Sequence, residues 1–180
     1  MSPVRFVVNG SGRARVLAAL VVAALAAAAP RAQTDPLAPL RFLVGEWQAV
    51  ENAPGESGAF AFALNVQNRV MTRTNYAVYE ANGTRSASRH DDLMVIYAEG
   101  GALKADYFDN EGHVIRYVVT SPRAGEVVFH SAPTPREPGY RLSYAMAADG
   151  LLKGQFEVSP PGDRDAFKPY LSWTARRAGR

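Results

Sequence analysis

The sequence predicts an all-β fold: a closed antiparallel meander barrel of about ten strands, with a short helical turn before the first. Three observations point there. Turn glycines fall at Gly101, Gly112, Gly125, Gly139 and Gly150, with gaps of 11, 13, 14 and 11 residues, the cadence of successive hairpins rather than of strands alternating with helices. Apolar and polar residues alternate between those turns, and no run keeps a convincing 3.6-residue period. Two hairpins can be read in register, and each gathers its apolar side chains on one face.

The first element is the proline-bounded stretch Asp35 to Leu43. It runs into Gly45 and Trp47, which open the first strand. Candidate strands then follow at 45–52, 58–66, 69–79, 91–98, 102–109, 113–121, 126–132, 140–147, 151–159 and 170–178.

In the first readable hairpin, Asn110-Glu111-Gly112 forms a three-residue loop with Gly last, the type I turn plus bulge. It pairs Asp109 with His113. Leu103, Ala105 and Tyr107 then share a face with Ile115, Tyr117 and Val119. A slip of one residue would send every side chain to the wrong side. In the second, Ala148-Asp149-Gly150 pairs Ala147 with Leu151. Leu142, Tyr144 and Met146 join Leu152, Gly154, Phe156 and Val158, while Arg141 sits across from Glu157 on the opposite face. A meander with one apolar face is expected to close, because closure removes the unpaired edges of an open sheet. By parity the interior also carries Trp47, Phe129, Leu171 and Trp173. Strands 69–79 and 91–98 are apolar on both faces, so parity does not orient them.

Residues 1–32 are expected to be a signal peptide and 33–180 the barrel. Arg5, Arg13 and Arg15 precede an unbroken apolar run of 14 residues, Val16 to Ala29, followed by Pro30 and the small Ala32. Basic, apolar, then small is the layout of a secretory leader. The run is shorter than the roughly 18 residues a membrane span needs, so no stable membrane anchor is expected after cleavage. The location implied is periplasmic or secreted. The leader also carries the chain's basicity. Removing its four arginines leaves 16 basic against 17 acidic residues, a net charge of −1. A nucleic-acid partner thereby loses its main support. The chain has no cysteine, which excludes disulfides, thiolate chemistry and Cys-ligated metals.

Gly45-x-Trp47 at the start of the first strand resembles the signature of the calycin superfamily, the lipocalins and fatty-acid-binding proteins. The resemblance implies an Arg on the last strand that packs over this Trp and closes the base. Parity with Leu171, Trp173 and Ala175 points to Arg177, with Arg176 the alternative. The segment Tyr107 to His113 and the ending Tyr170-Leu171-Ser172-Trp173 resemble a family of small secreted bacterial barrels similar to the nitrobindin-like branch. Two features depart from the superfamily. Only Asn52 to Ser57 is available for the helical lid of fatty-acid-binding proteins, and no helical pattern follows the last strand.

No catalytic triad, carboxylate pair or metal-ligand set is visible. Gly55-Glu56-Ser57-Gly58-Ala59 lacks the final Gly and the strand-to-helix turn of a nucleophile elbow. Asn82-Gly83-Thr84 matches a glycosylation sequon, but turn chemistry explains it better. His90, Asp91 and Asp92 alternate faces and make a poor metal set. Parity turns only His113 inward. The nitrobindin-like resemblance implies haem on a late His, and Tyr170 to Arg180 has none, so His113 is the haem candidate, weighed against a rim His bonded to a neighbouring Asp. Buried phenols need hydrogen-bond partners. Tyr107, Tyr117 and Tyr144 together favour a cavity, because ten strands enclose more volume than these side chains fill. The expected ligand site is Tyr107, Tyr117, Tyr144, Phe156, Trp173 and His113, around a small, mostly apolar molecule bound without a resident cofactor. Gly45, Trp47 and Arg177 are expected to be structural. An isomerase or cyclase, a haem or nitric oxide carrier, and a pocketless interaction module are the competing readings.

Overall fold

A computed structural model describes residues 35–50, 53–121 and 123–179. The leader expected at 1–32 lies outside the described residues. A 3-10 turn at Ala38–Leu43 precedes ten strands: β1 Gly45–Val50, β2 Glu56–Asn65, β3 Val70–Tyr79, β4 Ser88–Glu99, β5 Ala102–Asp109, β6 Val114–Thr120, β7 Glu126–Ser131, β8 Gly139–Met146, β9 Leu152–Ser159 and β10 Lys168–Arg177. They form one antiparallel meander whose last strand returns to pair with the first, closing the barrel.

The registers read from the turns hold. Asp109 N–H donates to His113 O, and Leu103, Ala105 and Tyr107 face Val119, Tyr117 and Ile115. Ala147 N–H donates to Leu151 O, and Leu142, Tyr144 and Met146 face Phe156, Gly154 and Leu152. On the outer face Arg141 meets Glu157 through two bonds, Nε to Oε2 at 2.6 Å and Nη2 to Oε1 at 2.7 Å. Phe167 lies under the same guanidinium, 4.6 Å from its ring centroid.

The two strands that sequence parity left open are now oriented. Met71, Arg73, Met94 and Ile96 are buried in the barrel, while Leu93 and Tyr76 lie outside. β4 begins at Ser88, three residues earlier than expected, because the long β3 still pairs there through Tyr79. His90 therefore lies within a strand with its ring turned toward Tyr107 and Asp92, so His113 is not the sole inward histidine. His130 faces outward and packs on Phe167. Leu171, expected inside, is 48% exposed at the mouth, just past a register shift between Pro169 and Leu171.

The barrel has two unlike ends. The lower end, where β1 starts and β10 finishes, is a dry core of Leu37, Leu40, Leu43, Trp47, Phe62, Met71, Ile96, Val127, Phe129 and Leu152. Each such side chain contributes about 1.5–3 kcal/mol by leaving water. The 3-10 turn plugs this end with its buried Leu40 and Leu43. Trp47 Nε1 donates to Leu43 O at 2.7 Å. Arg177 lies 4.4 Å above the Trp47 ring and donates to Val44 O at 2.6 Å and Phe42 O at 2.9 Å. Arg177, not the exposed Arg176, therefore covers the indole. Gly45 adopts φ +129°, and a side chain there would overlap Arg177 Nη1.

Candidate functional site

The upper end holds the candidate site, a cavity of about 1140 Å³. Interior positions of neighbouring strands bring its walls together. β5 and β6 supply Tyr107, Ile115 and Tyr117; β8 to β10 supply Tyr140, Leu142, Gly154, Phe156 and Trp173; β2 to β4 supply Phe60, Arg73, Asn75, His90 and Asp92. Phe156 stacks on Tyr140 at 5.8 Å with the rings 9° apart. The Trp173 indole lies over Gly154, which has no side chain to occupy that place.

Five of the six residues expected at the site line this cavity: Tyr107, Tyr117, Phe156, Trp173 and His113. Tyr144 lies beneath it, fully buried against Phe60, Phe62, Phe129 and Trp173. Burial pushes the Tyr144 phenol up to about 12, against the pull of the nearby Arg73 guanidinium. No hydrogen bond of ordinary geometry joins the two. Tyr107 is also raised, by burial and then by the Asp92 and Asp109 carboxylates, and Tyr117 is raised by burial. All three phenols therefore stay protonated at neutral pH.

The polar centre of the cavity is a set the sequence reading did not single out. Arg73 Nη1 meets Asp92 Oδ1 at 2.6 Å, with side chains only 6% and 3% exposed. Asn75 Nδ2 donates to the other Asp92 oxygen at 2.8 Å. Burial weakens the charged form of Arg73, but the Tyr144 phenol, once ionised at high pH, and the Asp92 carboxylate outweigh it, and the net shift is upward. The Arg73 guanidinium also lies 5.6 Å from the Phe60 ring and 6.0 Å from the Tyr144 ring.

A chain of hydrogen bonds climbs from this pair to the mouth. His90 Nε2 is 3.5 Å from Asp92 Oδ2 and 3.1 Å from the Tyr107 hydroxyl, while His90 Nδ1 is 3.1 Å from Glu111 Oε1. Tyr107 donates to Asp109 Oδ2 at 3.3 Å, and His113 Nδ1 meets the same oxygen at 2.9 Å. His113 is thus a rim histidine on a neighbouring Asp, its side chain 59% exposed. Burial works against the Asp109 charge, but the His113 and Glu111 amides and the His113 ring hold its pKa below the usual carboxylate value.

These donors fit haem poorly. Both nitrogens of His90 are engaged within the chain. Iron on the exposed His113 would leave its porphyrin at the mouth rather than in the barrel. Among the described residues no group of three or more His, Asp or Glu side chains is arranged to hold a metal ion. Asn82 caps its own turn, its Oδ1 accepting from Thr84 and Arg85, and Ser57 lies in β2 rather than on an elbow.

No protein-family model and no curated protein matches this chain. The closed antiparallel barrel of ten strands fits the general plan of a calycin-like barrel.

Proposed function

We propose that this chain is an exported small-molecule carrier of the calycin type, akin to the nitrobindin-like branch, which holds a mostly apolar ligand non-covalently in its upper cavity. The observation that carries the reading is the cavity itself, about 1140 Å³ and walled by Tyr107, Tyr117, Phe156 and Trp173 around a few polar groups. Apolar walls with sparse, fixed polar groups are the usual make-up of a ligand pocket. The basic-apolar-small leader supports export, and the mature net charge of −1 gives no attraction to nucleic acid.

Titration with a fluorescent apolar probe such as 1-aminoanthracene tests it. Saturable binding, with energy transfer from tryptophan that is diminished in Trp173→Phe and kept in a Glu46→Gln surface control, is expected. A barrel that binds no such probe and is equally inert to a panel of apolar compounds sinks the reading.

A second reading, acid–base catalysis on the same ligand, is favoured by the Glu111–His90–Tyr107 chain. With Nδ1–H held by the Glu111 carboxylate, His90 Nε2 can take a proton from the Tyr107 hydroxyl once that hydroxyl turns to it from Asp109, an arrangement able to pass a proton into the cavity. Turnover of a bound ligand that collapses in His90→Gln with binding retained would establish it.

A further inference from the structure

We infer that the cavity floor is built to receive an uncharged carbonyl oxygen, so that the ligand is an aromatic ketone, amide or quinone rather than a carboxylic acid. This rests on the ligand-binding reading above and narrows it. Among the described residues three buried polar atoms have no hydrogen-bond partner of ordinary geometry: Arg73 Nε, Trp173 Nε1 and the Tyr144 hydroxyl. The first two are donors only, and the third can donate. They belong to one cluster. The Arg73 guanidinium lies 6.0 Å from the Tyr144 ring, and the Tyr144 and Trp173 rings are 5.8 Å apart. Arg73 and Trp173 also wall the cavity. Donors closed off from water and left without an acceptor are costly. The half-buried Trp173 indole must turn from its seat over Gly154 for the cluster to open to the cavity, where one oxygen can accept from it.

Charge decides which oxygen. The Arg73 charge is already matched by Asp92 at 2.6 Å, whose second oxygen is held by Asn75. Asp109 and Glu111 stand above them on the way to the mouth. His90 and His113 also line the cavity, but His90 is held among Asp92, Tyr107 and Glu111, and His113 by Asp109 at the rim. Among the described residues a carboxylate at the floor would therefore stand beside Asp92 with no uncommitted buried cation to meet it, and an unmatched buried charge is strongly disfavoured. A carbonyl uses the same donors and leaves the charge balanced.

Three probes of one size and different head test this on the exported chain by calorimetric titration: 2-acetylnaphthalene, 2-naphthoate and 2-ethylnaphthalene. The ketone is expected to bind about tenfold more tightly than either of the others, the ratio one satisfied donor brings. Trp173→Phe and, separately, Tyr144→Phe should narrow the ketone's advantage over the ethyl compound, read as the ratio of the two affinities within each variant, to about threefold or less. Naphthoate binding tightest, or the ethyl compound matching the ketone, overturns the inference and leaves the ligand-binding reading standing. If none of the three binds and the apolar panel also fails, both fall.

Discussion

Gly45→Ala is the most direct probe of the closed base. Alanine at φ +129° is strained, at about 1–3 kcal/mol. Its Cβ would overlap Arg177 Nη1, so the guanidinium must leave. With it go the bonds to Val44 O and Phe42 O and the cover of the Trp47 ring. Charged hydrogen bonds contribute about 1.5–3 kcal/mol each, and the half-buried setting of Arg177 cuts their sum to about 2–3 kcal/mol. The expected total is therefore about 3–6 kcal/mol, a large part of the stability of a small domain. Urea unfolding of the protein, followed by circular dichroism, measures it. Arg177→Met alone should cost about 2–3 kcal/mol, since it removes the same bonds without the backbone strain. In the double variant the two losses overlap, and their sum should exceed the measured loss by about 2 kcal/mol. A Gly45→Ala cost below about 1 kcal/mol, or strict additivity with Arg177→Met, refutes the lock.

Arg73→Met strands Asp92 and should cost about 3–5 kcal/mol in the same assay, whereas Arg73→Met with Asp92→Leu should return to within about 1 kcal/mol of the parent or exceed it; a double variant as weak as the single one would count against a paired interior. Gly154→Val forces the Trp173 indole off its seat and should lower stability by about 1–3 kcal/mol with a red shift in tryptophan emission; unchanged emission would show that the indole does not rest there. The Arg141 bonds hold Glu157 below its ordinary value of 4.5. A carboxylate depressed in the folded state adds stability above that value, and the contribution fades as pH falls through the folded pKa. Glu157→Gln should therefore flatten the fall of the urea midpoint between about pH 5 and 3. Identical slopes in the two proteins would rule that contribution out.

Most of the frame was legible because turn chemistry fixes register, and register fixes facing. Gly112 and Gly150, both at positive φ, set two hairpins, and from them Tyr107, Tyr117 and Phe156 fell on the interior side. The Arg73–Asp92 pair was missed for a local reason. β3 and β4 carry apolar residues on both faces, so alternation alone says nothing about them. A signal was nevertheless present. Gly100-Gly101 forms a two-residue loop with φ +60° and +81°, as a type I′ hairpin turn requires. Carrying the register of β5 across it sets Met94 beside Tyr107 and Asp92 beside Asp109. Asp92 is then inward without any coordinates. The next turn back gives no such purchase. Val66, Gln67 and Asn68 all adopt positive φ with no glycine among them, a conformation their side chains disfavour and a pattern cannot announce. The placement of Arg73 therefore rested on β3 pairing with β4. Leu171 was misplaced by the shift between Pro169 and Leu171, where proline removes a ladder donor.

The buried pair is also hard to explain by stability alone. Apolar residues of similar volume in place of an internal ion pair commonly leave a protein as stable or more so. The lower end of this barrel shows that the chain can build a dry core where it needs one, with Met71 two residues from Arg73 and Met94 two from Asp92 on the same strand faces. The change from methionine to charge occurs where the dry core gives way to the cavity. On the proposed ligand-binding reading the pair does what a methionine cannot: it fixes a guanidinium edge in place with no net charge, below a mouth where Asp109 and Glu111 stand with His113 and His90. A fixed donor whose geometry is set before a ligand arrives reduces the ordering cost of binding. The rigid base and the polar floor are then parts of one arrangement, in which Trp47, Gly45 and Arg177 hold the strands so that the cavity above them need not be filled.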